Sequence, residues 1–244
     1  MKHLILIILL SVSVRTLSQN SSTSAVVSYE ETFGTVEKNL YELHFCNNES
    51  VYEQLFPSRE GQSIQTIGGF LEPQIKQIYY TDVAKHEIIF QESIAFKKIV
   101  ALENQDPLEW KIADDTKKIN NYSCQKATLV YKGNPYTAWF TTDIPVPFGP
   151  WKLNGLPGLI VEAYDDSKFY QIKATKISFS TECQLVKNKI TQANLKNPVT
   201  MQKYIELRNN ENEDIFNFYQ SISPRDSYLK VETDYTAFLR EPLK

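Results

Sequence analysis

The chain has 244 residues and a net charge of −3, with 42% hydrophobic and 12% aromatic residues. A chain of that size can bury a core, and one large β domain fits its length. The mild acidity argues against nucleic acid, which favours a clustered basic face, and against an anionic membrane surface as the main target.

Met1-Lys2-His3 is a short basic start, and Leu4 to Val14 is almost wholly apolar, broken by Ser11 and Ser13. A run of that length is too short to cross a hydrocarbon layer of about 30 Å as a helix, and it matches the apolar region of a signal peptide. Cleavage after Thr16-Leu17-Ser18 makes residues 1–18 a leader and Gln19 the mature start. The loss of Lys2 and Arg15 with the leader takes the charge to −5. No second long apolar segment follows, so a periplasmic, outer-membrane-associated or secreted protein is expected, with no transmembrane segment in the mature chain. Export permits one disulfide among Cys46, Cys124 and Cys183. Spacing does not choose the pair, and three free thiols fit equally.

Residues 19–35 are polar and Ser-rich at first and read as a flexible lead-in, with a single domain over 36–244. From Val36 the pattern alternates: Tyr41, Leu43 and Phe45 face one way, Glu42 and His44 the other, as in a half-buried strand. Ser58–Gly69 reads as a loop. Gln77–Tyr80, Glu87–Phe90 and Phe96–Leu102 are β-type runs, and Asp114–Lys118 reads as a charged turn after Trp110-Lys111-Ile112. Ala127–Tyr131 and Tyr136–Phe140 alternate on either side of Lys132-Gly133-Asn134-Pro135, the pattern of a hairpin. Thr141–Gly158 carries Pro145, Pro147, Pro150 and Pro157, which bars it from the middle of a sheet. Leu159–Tyr164 and Phe169–Phe179 form a second hairpin about Asp165–Lys168. Asn197-Pro198 then opens a helical pattern over Met201, Tyr204, Ile205, Arg208, Ile215, Phe216 and Tyr219, broken near Asn209–Asp214 and ended by Ser223-Pro224. The fold class expected is α+β and mainly antiparallel: a strongly curved open sheet or half-barrel packed with a C-terminal helix.

Gly155-Leu156-Pro157-Gly158-Leu159-Ile160 spells GLPGLI, after Gly149-Pro150-Trp151-Lys152. With Trp110-Lys111-Ile112, Cys124–Ala127 and Ala138–Pro145 upstream, residues 110–164 resemble the GLPGLI family of secreted bacterial proteins. The resemblance implies a Gram-negative envelope protein of uncharacterised activity and transfers no catalytic residue. The chain is also similar to the N-terminal non-catalytic domain attached to one type of bacterial peptide N-glycosidase. The motif has its own physical reading: Pro157-Gly158 suits a type II turn with Gly158 at positive φ, while Leu156, Leu159 and Ile160 bury.

Candidate chemistry is sparse. His44-Phe45-Cys46 pairs two metal-ligand types, short of the four of a structural zinc site, so no metal and no cofactor are expected. There is no G-x-S-x-G, P-loop or G-x-G-x-x-G. Asp143 and Glu162 are the carboxylates that a glycosidase reading would use. Trp139, Asp143, Phe148, Trp151 and Asn154 are the candidate ligand contacts, combining aromatic faces with polar handles. Phe148 and Trp151 also suit a plug that closes the core. The expected function is an exported, non-catalytic accessory or binding protein of the bacterial envelope, with envelope proteins, glycans or peptides as candidate partners. The alternatives are a carrier of an apolar or lipid ligand and a hydrolase.

Overall fold

The computed structural model describes residues 24–34, 37–56, 75–180, 183–193 and 195–222. The expected leader and its cleavage site, the loop at Ser58–Gly69 and the stop at Ser223-Pro224 lie outside these. Strands β1 (Ser24–Phe33), β2 (Glu37–Cys46), β3 (Glu49–Leu55), β4 (Ile78–Asp82), β5 (Glu87–Ile94), β6 (Lys97–Asn104), β7 (Lys111–Ile119), β8 (Tyr122–Tyr131), β9 (Asn134–Thr141), β10 (Leu159–Asp165), β11 (Tyr170–Ser180) and β12 (Val199–Thr200) make one sheet. Its order is β12-β6-β5-β4-β3-β2-β1-β11-β10-β9-β8-β7, antiparallel throughout except for the β12–β6 pair. Helices α1 (Gln184–Ala193), α2 (Met201–Asn209) and α3 (Glu211–Ile222) complete it.

The sheet is open but strongly curved. Strands β6 and β8 stand nine steps apart, which on a flat sheet of about 4.8 Å spacing would separate them by roughly 43 Å. Yet Tyr131 Oη in β8 donates to Glu103 Oε1 in β6 at 3.3 Å. The two flanks therefore curl toward each other around one concave face. That face carries Tyr29, Leu43, Phe45, Tyr52, Tyr79, Phe90 and Phe140, all fully buried. Tyr41 and Tyr52 stack at 4.7 Å, and Tyr29 meets Tyr52 edge-on at 5.9 Å. Tyr29 Oη donates to the Ile160 carbonyl at 2.6 Å, tying β1 to β10 across the hollow.

The proline-rich connection between β9 and β10 fills that hollow. Ile144, Val146, Phe148, Trp151, Leu153 and Leu156 all bury in the core. Phe148 packs 5.5 Å from Phe45, and Trp151 meets Tyr131 at 5.6 Å, edge-on. The outer face of β2–β4 holds a smaller apolar cluster of Cys46, Val51, Ile78, Tyr80 and Val186, covered by α1. A Cys46–Cys183 disulfide fastens the start of that helix, and Cys124 is free and buried.

Three expectations change. The lead-in gives way at Ser24, because Ser24–Phe33 is a strand between β2 and β11. Its Ala25, Val27 and Tyr29 alternate inward, but the Ser and Glu residues around them mask the period. The charged turn at Asp114–Lys118 is part of β7, whose register shifts between Ile112 and Thr116. An edge strand tolerates charge and a bulge, both of which protect it from pairing with another chain. Asn197-Pro198 does not open the helix. Val199 and Thr200 first pair with β6, and Thr200 Oγ1 then accepts from Lys203 N at 3.3 Å as the N-cap.

The GLPGLI corner also differs from its sequence reading. Positive φ falls on Gly155 (89°), not on Gly158. Gly158 is required for space, since a Cβ there would stand 2.1 Å from the Thr141 carbonyl oxygen. Gly158→Ala is therefore expected to cost about 1–3 kcal/mol or more through overpacking, and Gly155→Ala about 1 kcal/mol through backbone strain. Urea unfolding of the two variants checks both the sizes and their order. Trp151→Ala is expected to cost about 3–5 kcal/mol in the same measurement, as for a buried large aromatic.

Candidate functional site

The plug carries a charge into the interior. Lys152 is 1% exposed; its Nζ lies 2.8 Å from Glu103 Oε2 and 3.9 Å above the centre of the Phe90 ring. Lys132 Nζ reaches the other Glu103 oxygen at 2.6 Å. Farther along β5, Glu92 accepts from Tyr79 Oη and Tyr204 Oη at 2.5 Å each and from Arg208 Nη2 at 2.6 Å. Arg208 Nη1 also meets Glu211 Oε2 at 2.8 Å, so α2 and the start of α3 are anchored to the sheet by half-buried, paired charges. Burial pushes the Glu92 carboxyl up, but Arg208, Lys152 and the two phenols outweigh it and hold the group at about 2. Glu103 is likewise depressed, its burial overcome by Lys152 and Lys132.

A buried carboxylate held that low stabilises the fold fully above the ordinary glutamate value of about 4.3, and the contribution disappears as pH falls toward 2. The contribution of Glu92 is on the order of 3 kcal/mol. Glu92→Gln should therefore be less stable at pH 7 yet lose less stability than the parent between pH 5 and 2. Urea midpoints across that range check the prediction.

At the opposite end of β5 the plug meets two connections and leaves a cleft of about 300 Å³. Asp82 ends β4 and His86 closes the β4–β5 turn, Gln105 and Asp106 come from the segment after β6, and Asn154 and Gly155 from the plug. Asp82 Oδ1 accepts from Ala84 N at 3.1 Å and Lys85 N at 3.2 Å, which sets the turn. Partial burial pushes its carboxyl up, but these bonds and the Lys85 ammonium hold it below its usual value. Asn154 Nδ2 donates to Gln105 Oε1 at 2.6 Å and to the Lys152 carbonyl at 3.1 Å. Gln105 Nε2 donates to the same carbonyl, and Trp110 Nε1 donates to the Asn154 carbonyl at 2.8 Å. The buried Lys152 thus fixes the backbone on which the amides of the cleft are hung.

The five candidate contacts do not converge. Asn154 lines the cleft. Phe148 and Trp151 are buried core residues with no face to offer a ligand. Trp139 is 9% exposed on the convex side, with Lys117 Nζ 4.2 Å above its ring. Asp143 lies exposed at the start of the connection and accepts from Ser123 N at 3.4 Å. Glu162 pairs with Lys117 at 2.7 Å, so Asp143 and Glu162 have separate partners. Of the GLPGLI residues, Gly155 lines the cleft, while Leu156, Leu159 and Ile160 are buried. Asp82, His86, Gln105 and Asp106 carry no motif, and turn residues from distant segments leave no spacing to read. Trp110 was legible only as part of the Trp110-Lys111-Ile112 string of the family resemblance, with no site role.

A curled antiparallel sheet plugged by its own β9–β10 connection, with a polar cleft on the rim, defines the class of this domain. Residues 74–204 match the family of the N-glycanase peptide N-terminal domain, and the chain belongs to that family. The match spans the plug, the cleft and Tyr204. A structure of PNGF-II in a C2 crystal form superposes with a TM-score of 0.55 at 15% identity, covering 78% of this chain and 33% of that one. A P21 form of PNGF-II gives 0.56 at 14% identity, covering 78% and 34%. The chain thus spans about a third of the length of those structures, and the likeness shows the fold. No curated protein sequence matches the chain significantly. No described helix is long and apolar enough to cross a membrane.

Proposed function

We propose that this chain is an exported, non-catalytic accessory domain of the bacterial envelope that binds neutral glycan at the rim cleft. The observation that carries the reading is the cleft itself: amide and carboxylate groups from three connections, held on a backbone that a buried ion pair fixes. Sugar hydroxyls are recognised by such fixed donors and acceptors in a partly apolar pocket. Asn154 turns its amide hydrogens inward, which leaves Oδ1 as an acceptor. Asp82, Glu87 and Asp106 outnumber the single His86, a balance that disfavours phosphate, sulfate and sialic acid. Trp110, half-buried beside Asn154, holds that residue's carbonyl in place.

Membership of a family described from an N-glycanase supports N-linked glycan as the ligand class. The Cys46–Cys183 bond supports an oxidising compartment and so the signal-peptide reading of residues 1–18. We also assign the chain to the GLPGLI family on Gly155–Ile160. The carrier reading is the weaker one, since the concave face where an apolar ligand would lie is occupied by Phe148, Trp151, Leu153 and Leu156.

Calorimetric titration with free N-glycans and glycopeptides, neutral and sialylated, tests the proposal. Neutral forms should bind and sialylated ones should bind more weakly. Asp106 is exposed, so Asp106→Ala should leave the unfolding midpoint unchanged and lower affinity about tenfold, as for the loss of one charged hydrogen bond. Equal affinity of parent and variant, or no binding of any glycan, would overturn it. N-terminal sequencing of exported material should begin near Gln19.

A further inference from the structure

On the convex side, away from the cleft, Glu42, His44 and Glu53 converge. Glu42 and His44 lie two residues apart on β2 and share one face of the sheet. Glu53 on β3 stands directly opposite Glu42 in the register. Like charges so placed repel one another, and the Glu53 side chain is only 9% exposed. Positive charge at this point offsets the repulsion, and in the structure Lys189 and Lys76 supply it to Glu53.

His44 is built into the same place. Its side chain is 8% exposed, and neither ring nitrogen has a hydrogen-bond partner among the described residues. Nε2 nevertheless lies 3.2 Å from Glu42 Oε2 and 3.8 Å from Glu53 Oε1. An imidazole nitrogen facing two carboxylate oxygens at these distances is also how ligand atoms stand around a shared ion. Ligands of a tetrahedral zinc with bonds of about 2.0–2.1 Å are about 3.3–3.4 Å apart. The three ligand atoms all lie within 4.8 Å of one another, so small side-chain rotations bring them onto one ion.

We propose that Glu42, His44 and Glu53 form a binding site for a zinc-type divalent cation, for which the ammonium of Lys189 competes. Lys189, on α1, contacts Glu53 Oε1, and Lys76 Nζ lies 3.8 Å from Glu53 Oε2. The Lys189 side chain is 31% exposed and can swing into solvent, and Glu42, 29% exposed, opens the route in. One imidazole and two carboxylates suit zinc and other borderline first-row ions, whereas calcium takes six to eight oxygens. Three protein ligands leave a fourth position for water. Cys46 cannot add a ligand, because it is bonded to Cys183; that bond instead keeps α1, and with it Lys189, over the site.

The test is a titration of the chelator-stripped, disulfide-intact protein with zinc, followed by calorimetry, with cobalt(II) absorption as the report of ligand type. One ion should bind per chain. Lys189→Met should bind at least tenfold more tightly, which a site merely requiring an intact fold would not do. His44→Gln and Glu42→Gln should each bind at least tenfold more weakly, and the cobalt spectrum should lose its imidazole character in His44→Gln. Failure of both the parent and Lys189→Met to bind zinc with one-to-one saturation would overturn the proposal. So would binding that survives His44→Gln but is lost in His86→Ala, which would place the ion at the cleft. Glycan binding is measured separately, so failure here leaves the cleft reading untouched.

Discussion

The Lys152–Glu103 contact is where the two curled flanks of the sheet are joined through the plug. Lys152 is among the largest fully buried side chains, and its ammonium is paired with Glu103, lies over the Phe90 ring and feels the nearby Glu92 charge. Burying a lysine is costly unless its charge is paired, and a broken buried pair costs more than the pair itself contributes. The β9–β10 connection is seated with Lys152 against Glu103. Once seated, that connection delivers Phe148, Trp151 and Leu153 to the core and turns the Lys152 carbonyl toward Gln105 and Asn154. Packing of the interior and geometry of the cleft thus follow from the same contact.

The distribution of charge on the two sides of the sheet is consistent with separate roles. Inside, Glu92 and Glu103 each face paired cations that hold their carboxyls below the usual value. Outside, under α1, burial and the Lys189 ammonium push the His44 imidazole below its usual value, against the pull of Glu42 and Glu53. The concave charges lock a shape. The convex ones sit where a helix, a disulfide and a partly exposed carboxylate leave room for exchange.

Much of the sheet was legible because its strands carry a clean period of two. Tyr41, Leu43 and Phe45 were read as one face and point into the hollow, while Glu42 and His44 point out. The hairpin of β8 and β9 and that of β10 and β11 were marked by turn residues, and the prolines of the connection announced a non-strand. β1 was missed because the outward Val26 and the inward Glu31 break its period, and β7 because five consecutive polar residues on an edge look like a turn. Helix α1 has too few apolar positions to show a stripe, with Val186 its one core residue among those described. Of the site, Asn154 was legible and Asp82, His86, Gln105 and Asp106 were not, since they meet only through the curl of the sheet. Glu53, likewise, is joined to His44 only by strand register.

The position of β1 has a consequence for how the chain assembles. It lies between β2 and β11, so it is the seam between strands from the first part of the sequence and strands from near residue 175. Ser24 pairs with Ser180 and Phe33 with Tyr170, contacts that span most of the described chain. Loop closure of that length precedes any gain from the pairing, which places the fold among those with high contact order and slow formation. The seam cannot close until β11 has emerged from synthesis, and until then β1, paired with β2 on one side, presents its other edge unpaired. A fragment limited to residues 74–204 would keep the plug and lose the strand that unites the two halves of the sheet.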